Sequence, residues 1–182
     1  RANVVCRVGP EGGDPLLLNG HLDVVPADPE RWSYPPFEAV VAEGWIWGRG
    51  AIDMKHMVAM SAAILAHAKA NGVVDGASRP LILAAVADEE AGCAYGSQWL
   101  VDEHPDLVRA EYALGELGGF PLWIGGDRPV VPVQVAEKGI SWLRMHAHGS
   151  PGHGSVPRPD TAVVRLGEAI ARIGRSRLPQ HL

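Results

Sequence analysis

The sequence predicts an α/β fold: a mixed central sheet with helices on both faces, followed by the start of a smaller α+β domain. Short apolar runs of strand length recur in the first part of the chain, which is typical of strands buried on both faces of a sheet. Between these runs lie stretches whose apolar residues recur at helical spacing. Strands and helices in alternation are typical of an α/β protein.

The first part of the chain is predicted to contain strands, helices and one hairpin. The predicted strands lie at residues 3–8, 15–18, 81–86 and 112–114. The predicted helices lie at residues 54–70 and 96–103. The first of these helices is expected to end where Asn71 and Gly72 offer a left-handed stop. Aromatic residues and prolines crowd residues 29–50, with Glu43 and Gly44 as a turn, so this segment is predicted to be a loop followed by a small hairpin.

The pattern changes near residue 127, after the glycines at 125 and 126. We therefore predict two domains, residues 1–127 and residues 128–182. The second is expected to contain two antiparallel strands, a loop rich in glycine, serine and proline, and a helix. These predicted elements lie at residues 130–137, 140–148 and 161–173, with the strands joined at Lys138 and Gly139.

Composition limits the classes of function. The chain has 182 residues, of which 47% are hydrophobic and 20% charged, with a net charge of −5. This charge offers no basic surface for a phosphate backbone, so nucleic acid is not a predicted partner. The sequence has no apolar run of membrane-spanning length, so a membrane is not predicted either. Cys6 and Cys93 lie far apart and form no CxxC pair, which predicts a reducing compartment, the cytoplasm.

His21 and Asp23 directly follow the strand predicted at residues 15–18. The carboxyl end of a strand is where open α/β sheets place their sites. Residues two apart on an extended chain point the same way, so Asp23 could hold the His21 imidazole in the tautomer that a metal needs. The alternative interpretation of this pair is a surface turn.

Asp53 lies at the start of the helix predicted at residues 54–70. Gly48 and Gly50 precede it and leave the backbone free to turn sharply. A carboxylate there could bind a metal, but it could also only cap the helix and complement the helix dipole. Taken alone, the position favours the cap.

Acidic residues also follow two other predicted strands. Asp88, Glu89 and Glu90 follow residues 81–86, and Glu116 follows residues 112–114. Adjacent carboxylates repel each other, and a bound dication would relieve that repulsion. The alternatives are a solvated acidic loop and an ordinary strand-to-turn junction. Because several strands end on a potential ligand, a metal site is favoured, and an imidazole with carboxylates suits zinc, cobalt or manganese at a catalytic site.

Together these segments resemble the family that contains aminoacylase, succinyl-diaminopimelate desuccinylase, acetylornithine deacetylase and the bacterial glutamate carboxypeptidase. The resemblance covers nearly the whole chain, and the family's motifs occur in order and at similar spacing. The motifs are GHLDVVP at residues 20–26, WGRGAIDMK at 47–55, DEE at 88–90, GE at 115–116 and GHGS at 152–155.

The resemblance implies a hydrolase of peptide or N-acyl amide bonds that binds two divalent metal ions, zinc first and cobalt or manganese as alternatives. Residues 1–127 would form the catalytic, metal-binding domain. His21 and Glu116 would hold one metal, Asp53 would bridge, and Glu90 would hold the other. Glu89 would be the general base and Asp23 would orient His21. The implied substrate is a small peptide or an N-acyl amino acid.

Residues 128–182 would be the first part of the family's lid, or dimerisation, domain. The resemblance implies a homodimer formed through this lid. His153, in the GHGS motif, would reach the active site of the partner subunit and help to stabilise the oxyanion. Without the other motifs, this loop could equally be a flexible turn.

The chain departs from the family pattern at its ends. Arg1 stands where a full chain begins with Met, and a further histidine ligand is expected beyond residue 182, for which His181 is a poor substitute. We therefore expect the chain to be part of a longer protein, with a missing N-terminal segment and unpaired strand edges in the lid. The alternative hypotheses are a non-catalytic binding or dimerisation module and a different metal-dependent hydrolase, such as an aminopeptidase. The GHGS loop argues against the second alternative.

Overall fold

The computed structural model describes residues 1–117, 120–136, 139 and 141–177. The chain divides into two compact units, Arg1–Glu137 and Lys138–Leu182. A compact unit is not by itself a domain that folds alone. The predicted division into domains at residues 1–127 and 128–182 therefore stays a prediction.

The first unit is built around a four-stranded sheet. Its elements in chain order are β1 (Val4–Val8), β2 (Leu16–His21), β3 (Val40–Ala42), β4 (Trp45–Trp47), α1 (His56–Ala70), β5 (Leu81–Val86), α2 (Ser97–Glu103), α3 (Pro105–Val108) and β6 (Tyr112–Leu114). The strand order is β1-β5-β2-β6. β1 runs antiparallel to β5, and β2 runs parallel to both β5 and β6. The sheet is therefore mixed, as predicted.

Helices cover both faces of this sheet. Ala84 and Val86 of β5 pack with Leu100 of α2 on one face. Gly20 of β2 is paired with the intervening residue of β5, so it lies on the opposite face, because successive residues of a strand alternate. A Cβ atom at Gly20 would lie 2.9 Å from Val58 Cγ2 of α1. The predicted α/β class is thus confirmed, and glycine lets β2 and α1 approach closely.

Two turns follow the sequence prediction closely. α1 is followed by Gly72 with φ of +65°, the left-handed stop that was expected there. The predicted hairpin is β3 paired with β4. Its turn residues Glu43 and Gly44 have φ of +56° and +81°. Positive φ at both central residues matches the twist of a two-residue hairpin.

In the second unit, the structure confirms the predicted helix as α4 (Ala162–Arg175). Thr161 caps it, with its side chain accepting a hydrogen bond from the Val164 amide. None of the described helices has both the length and the apolar character needed to cross a bilayer.

The prediction of two strands after residue 127 is wrong in the part of the chain that the structure describes. Residues 131–136 and 141–148 belong to no strand, and an isolated bridge joins Leu122 to Val130 instead. Val133 and Val135 are 79% and 92% exposed, so the alternating apolar residues meet no face to pack on. A hairpin without such a face is marginal. The turn predicted at Lys138 and Gly139 falls partly outside the described residues.

Candidate metal centre

His21 is the last residue of β2 and lies at the centre of the candidate site. It is only 2% exposed. The amide of Leu22 donates to the Val86 carbonyl at 2.7 Å, so the parallel strands β2 and β5 end side by side. The acids after β5 and β6 therefore reach the same edge of the sheet as His21. This is the edge at which open α/β sheets place their sites.

Three carboxylates surround the Nε2 atom of His21. The Oδ1 atom of Asp53 lies 2.9 Å away. The Oε2 atoms of Glu89 and Glu116 each lie 3.8 Å away. Residues from four separate segments of the chain thus converge on one imidazole nitrogen.

Asp53 lies in the helical turn Ala51–Lys55 just before α1, and this turn is kinked because Asp53 and Met54 have non-helical φ and ψ. The backbone of Asp53 is extended, with φ of −109° and ψ of 98°, and the peptide bond that follows it is cis. α1 begins only at His56, with Lys55 as its N-cap residue, so the structure does not support the helix-cap interpretation of Asp53. The Nζ atom of Lys55 donates to the carbonyl of Leu22, which ties this segment to the chain that follows β2.

Asp23 contacts both His21 and the acidic loop after β5. The backbone carbonyl of Asp23 lies 2.9 Å from His21 Nδ1, whereas its Oδ1 atom lies 3.6 Å from the same nitrogen. The Asp23 carboxylate accepts hydrogen bonds from the amides of Glu89 and Glu90, each at 3.1 Å. Sequence reasoning missed this second contact, because no local pattern joins residues that lie so far apart in the chain.

Two groups in the described part of the chain could hold a metal ion. The first consists of His21, Asp53 and Glu116, and the second of His21, Glu89 and Glu90, with the ligand atoms of each group within 4.8 Å of one another. The first group is the predicted ligand set of one metal. No such group among the described residues joins Asp53 to Glu90, which were predicted to share the other metal.

The shared environment shifts the pKa values of the central groups. Burial alone would lower the pKa of His21, but the Asp23 carbonyl and the charges of Glu89, Asp53 and Glu116 outweigh it and raise the pKa. Burial, with the neighbouring carboxylates, raises the pKa of Glu89 even though His21 opposes the shift. Burial and Asp53 likewise raise the pKa of Glu116. These three groups therefore hold their protons to a higher pH than they would when free in water, and the protons compete with a dication for the same atoms.

Beside these groups lies a cavity of about 280 Å³ that His21, Glu89 and Glu116 line together with Met54 and Gln134. His21 is buried, but the side chains of Glu89 and Glu116 are 43% and 36% exposed. The carboxylates thus face an open space that a small molecule can enter.

His153 lies in the second unit, apart from the acidic cluster in the chain. It is exposed, and its Nδ1 atom lies 2.8 Å from the Ser155 hydroxyl. The predicted role of His153 stays a prediction. His181, the alternative ligand considered from the sequence, lies outside the described residues.

The fold and the site define a class of protein, an α/β protein with an imidazole–carboxylate cluster of the kind that binds divalent metals at the carboxyl edge of its sheet. Residues 17–130 match the model of peptidase family M20/M25/M40. The chain belongs to this family, which confirms the family resemblance of its motifs.

The chain is similar to several members of the family. It is 38% identical to succinyl-diaminopimelate desuccinylase from Paracoccus denitrificans, over 90% of this chain and 43% of that protein. It is 35% identical to aminoacylase-1 from Sus scrofa, over 87% of this chain and 37% of that protein. The chain therefore spans less than half the length of either relative.

The structure also resembles that of an M20 family metallo-carboxypeptidase from Sulfolobus solfataricus. The TM-score is 0.52 at 24% sequence identity, over 63% of this chain and 25% of the other. At this identity the likeness shows a shared fold. It agrees with the mixed sheet and the flanking helices of the first unit.

Proposed function

We propose that this chain supplies the metal centre of a hydrolase that cleaves N-acyl amide or peptide bonds. The observation that carries the proposal is the convergence of Asp53, Glu89 and Glu116 on the Nε2 atom of His21. Membership of a peptidase family supports it. An acidic cluster of this kind, open to a cavity, suits the binding of dications and the hydrolysis of a small substrate.

The donor set fits divalent metal ions. One buried imidazole grouped with carboxylates suits zinc, with cobalt and manganese as alternatives. We assign His21, Asp53 and Glu116 to one metal, and Glu90 to a second that shares Asp53. When bound, such ions polarise a carbonyl group and lower the pKa of a water molecule.

The protein's own groups then move the protons. Glu89 is proposed as the general base that takes a proton from the attacking water and gives it to the leaving amine. Its raised pKa makes it a stronger proton acceptor than an ordinary glutamate. Asp23 orients the His21 ring through its carbonyl and holds the amides of Glu89 and Glu90 through its carboxylate.

We propose N-acyl amino acids as the first substrate class to test, with small peptides second. A desuccinylase and an aminoacylase are both similar to this chain over most of its length, and both names describe removal of an acyl group from an amino acid. A homodimer, in which His153 acts on the partner subunit's site, completes the proposal.

The test compares the parent with Glu89→Gln, and with Glu43→Gln as a matched control on the exposed hairpin turn. A panel of N-acyl amino acids and dipeptides is assayed after loading with zinc, and metal content is measured by elemental analysis. We expect Glu89→Gln to lose about 10²–10⁴-fold in kcat and to keep its metal, while Glu43→Gln matches the parent.

Two results would count against this function. Full activity in Glu89→Gln would show that Glu89 is not the general base. A parent that binds metal but hydrolyses no member of the panel would favour the alternative, a module that binds without catalysis.

A further inference from the structure

Asp88 differs from the two glutamates that follow it. It is 5% exposed, and it belongs to neither of the described groups that could hold a metal. Its φ of +69° is uncommon for a non-glycine residue, and the chain turns there so that Asp88 and Glu89 project differently. The three consecutive acids thus separate into one structural acid and two that face the site.

The Asp88 carboxylate binds two partners, neither of which belongs to the groups that could hold a metal. Its Oδ1 atom lies 3.0 Å from Nη1 of Arg1, and its Oδ2 atom accepts a hydrogen bond from the Tyr95 amide at 3.2 Å. The guanidinium of Arg1 also lies over the Tyr95 ring, 4.6 Å from its centroid. A carboxylate this buried needs such partners, because an unpaired buried charge is costly.

Asn3 holds the two ends of the same loop. Its Oδ1 atom accepts a hydrogen bond from the Ala87 amide at 2.9 Å, and its Nδ2 atom donates to the Tyr95 carbonyl at 2.9 Å. The segment that leads into β1 is therefore hydrogen-bonded to both ends of the loop, at residues 87 and 95. Between these points lie Glu89 and Glu90, whose amides are bound by Asp23.

We propose that Asp88, held by Arg1, is a positioning residue that fixes the loop carrying Glu89 and Glu90 against the metal centre. This inference rests on the proposed function, in which Glu89 is the base and Glu90 a ligand. Asp88 acts through the backbone of the loop, and the Asp23 carboxylate binds the same loop at the amides of Glu89 and Glu90. The two aspartates thus restrain the two glutamates through separate contacts.

The test uses Arg1→Ala and Asp88→Asn, with Arg1→Lys as the conservative variant. Arg7→Ala is the matched control, because Arg7 is a nearby arginine within β1 whose side chain donates only to the Glu11 carbonyl in the described residues. We expect Arg1→Ala and Asp88→Asn to lower kcat about 10–100-fold with little change in KM. We also expect hydrogen exchange of the Glu89, Glu90 and Tyr95 amides to become about tenfold faster.

Recovery of kcat and of amide protection in Arg1→Lys, with parent-like values in Arg7→Ala, would support the proposed positioning role of Asp88 and Arg1. Parent-like exchange in both Arg1→Ala and Asp88→Asn overturns it, and so does faster exchange with unchanged kcat. If the parent hydrolyses nothing, the proposed function fails separately. The visible absorption of bound Co²⁺ then tests whether Asp88 and Arg1 position the loop. Identical spectra in the parent and the variants overturn the proposal.

Discussion

At the scale of single residues, His21 organises the candidate site, because both of its ring nitrogens have partners. Nδ1 lies 2.9 Å from the Asp23 carbonyl and Nε2 lies 2.9 Å from the Asp53 carboxylate. A backbone carbonyl can only accept a hydrogen bond, so Nδ1 carries a hydrogen and Nε2 is the nitrogen that faces the carboxylates. A hydrogen on Nδ1 leaves Nε2 as the nitrogen that can bind a metal once it gives up any proton of its own.

The carboxylate of Asp23 offers a residue-scale prediction. Asp23→Asn should weaken metal binding about 10–100-fold, because the Glu89 and Glu90 amides donate to different oxygens of Asp23, and Asn replaces one of these oxygens by an NH2 group that cannot accept. Competition with a chelator measures the affinity. The control is Asp28→Asn, because Asp28 accepts a similar bond from the Glu30 amide at 3.2 Å, within a separate short turn. Equal affinity in Asp23→Asn and the parent would contradict the prediction.

A second prediction at this scale concerns pH. The pKa values of Glu89 and Glu116 are raised above 4.5 and that of His21 above 6.5 in the metal-free protein. Each group therefore stabilises the fold fully below its ordinary pKa, and that stabilisation is lost as pH rises through the raised value. We expect the unfolding midpoint of chelator-treated protein to fall relative to Glu116→Gln as pH rises from about 4.5. A difference between the two proteins that stays constant with pH would refute this.

At the scale of elements, the sequence predicts best where local pattern and burial agree. β5 follows its predicted bounds at residues 81–86, where an apolar run of strand length is buried in the sheet. The sequence pattern does not predict which face of a helix is buried, because tertiary packing determines that. Met60 and Ile64, which mark the helical spacing of α1, are 54% and 55% exposed, whereas Leu65 and Ala68 are buried. Spacing predicts a helix but does not determine which face meets the sheet.

The close contact between β2 and α1 predicts that a larger side chain at Gly20 would destabilise the protein. Gly20→Ala should destabilise the protein by about 1–3 kcal/mol, because the new Cβ would lie 2.9 Å from Val58 Cγ2 and 3.0 Å from Met54 Cε. Denaturant unfolding measures the loss. Gly12→Ala is the control, since nothing lies within 4 Å of a Cβ there. Adding Val58→Ala to Gly20→Ala should recover part of the stability, and a double variant no more stable than the single one would argue against this steric cause.

At the scale of the whole molecule, the sequence predicts residues that the fold brings together, but it misses most of the bonds between distant segments that hold them in place. His21, Asp53, Glu89 and Glu116 follow the ends of strands or glycine-rich turns, and the fold brings them together. The bonds that support them join distant segments, such as Arg1 to Asp88. Such pairs leave no periodic signal, because their partners become neighbours only when the sheet forms.

The last prediction concerns the second unit and the proposed homodimer. All the proposed ligands lie in the first unit and His153 in the second, so His153→Ala should lose kcat and keep its metal. If His153 acts on the partner subunit's site, mixing His153→Ala with Glu89→Gln should restore activity. In a mixed dimer, one site receives both an intact Glu89 and the partner's His153. Random exchange of equal amounts makes half of the dimers mixed, so we expect about a quarter of the parent activity.

The control is His146→Ala, a variant of another exposed histidine in the same unit, which should match the parent alone and in the mixture. Steady-state assays after subunit exchange measure the recovery, and size-exclusion chromatography reports whether the dimer forms. Mixtures that remain as inactive as their components, although the dimer forms, would mean that His153 does not act across subunits. Restored activity would place one part of each active site on each chain, so that dimerisation itself becomes a condition of catalysis.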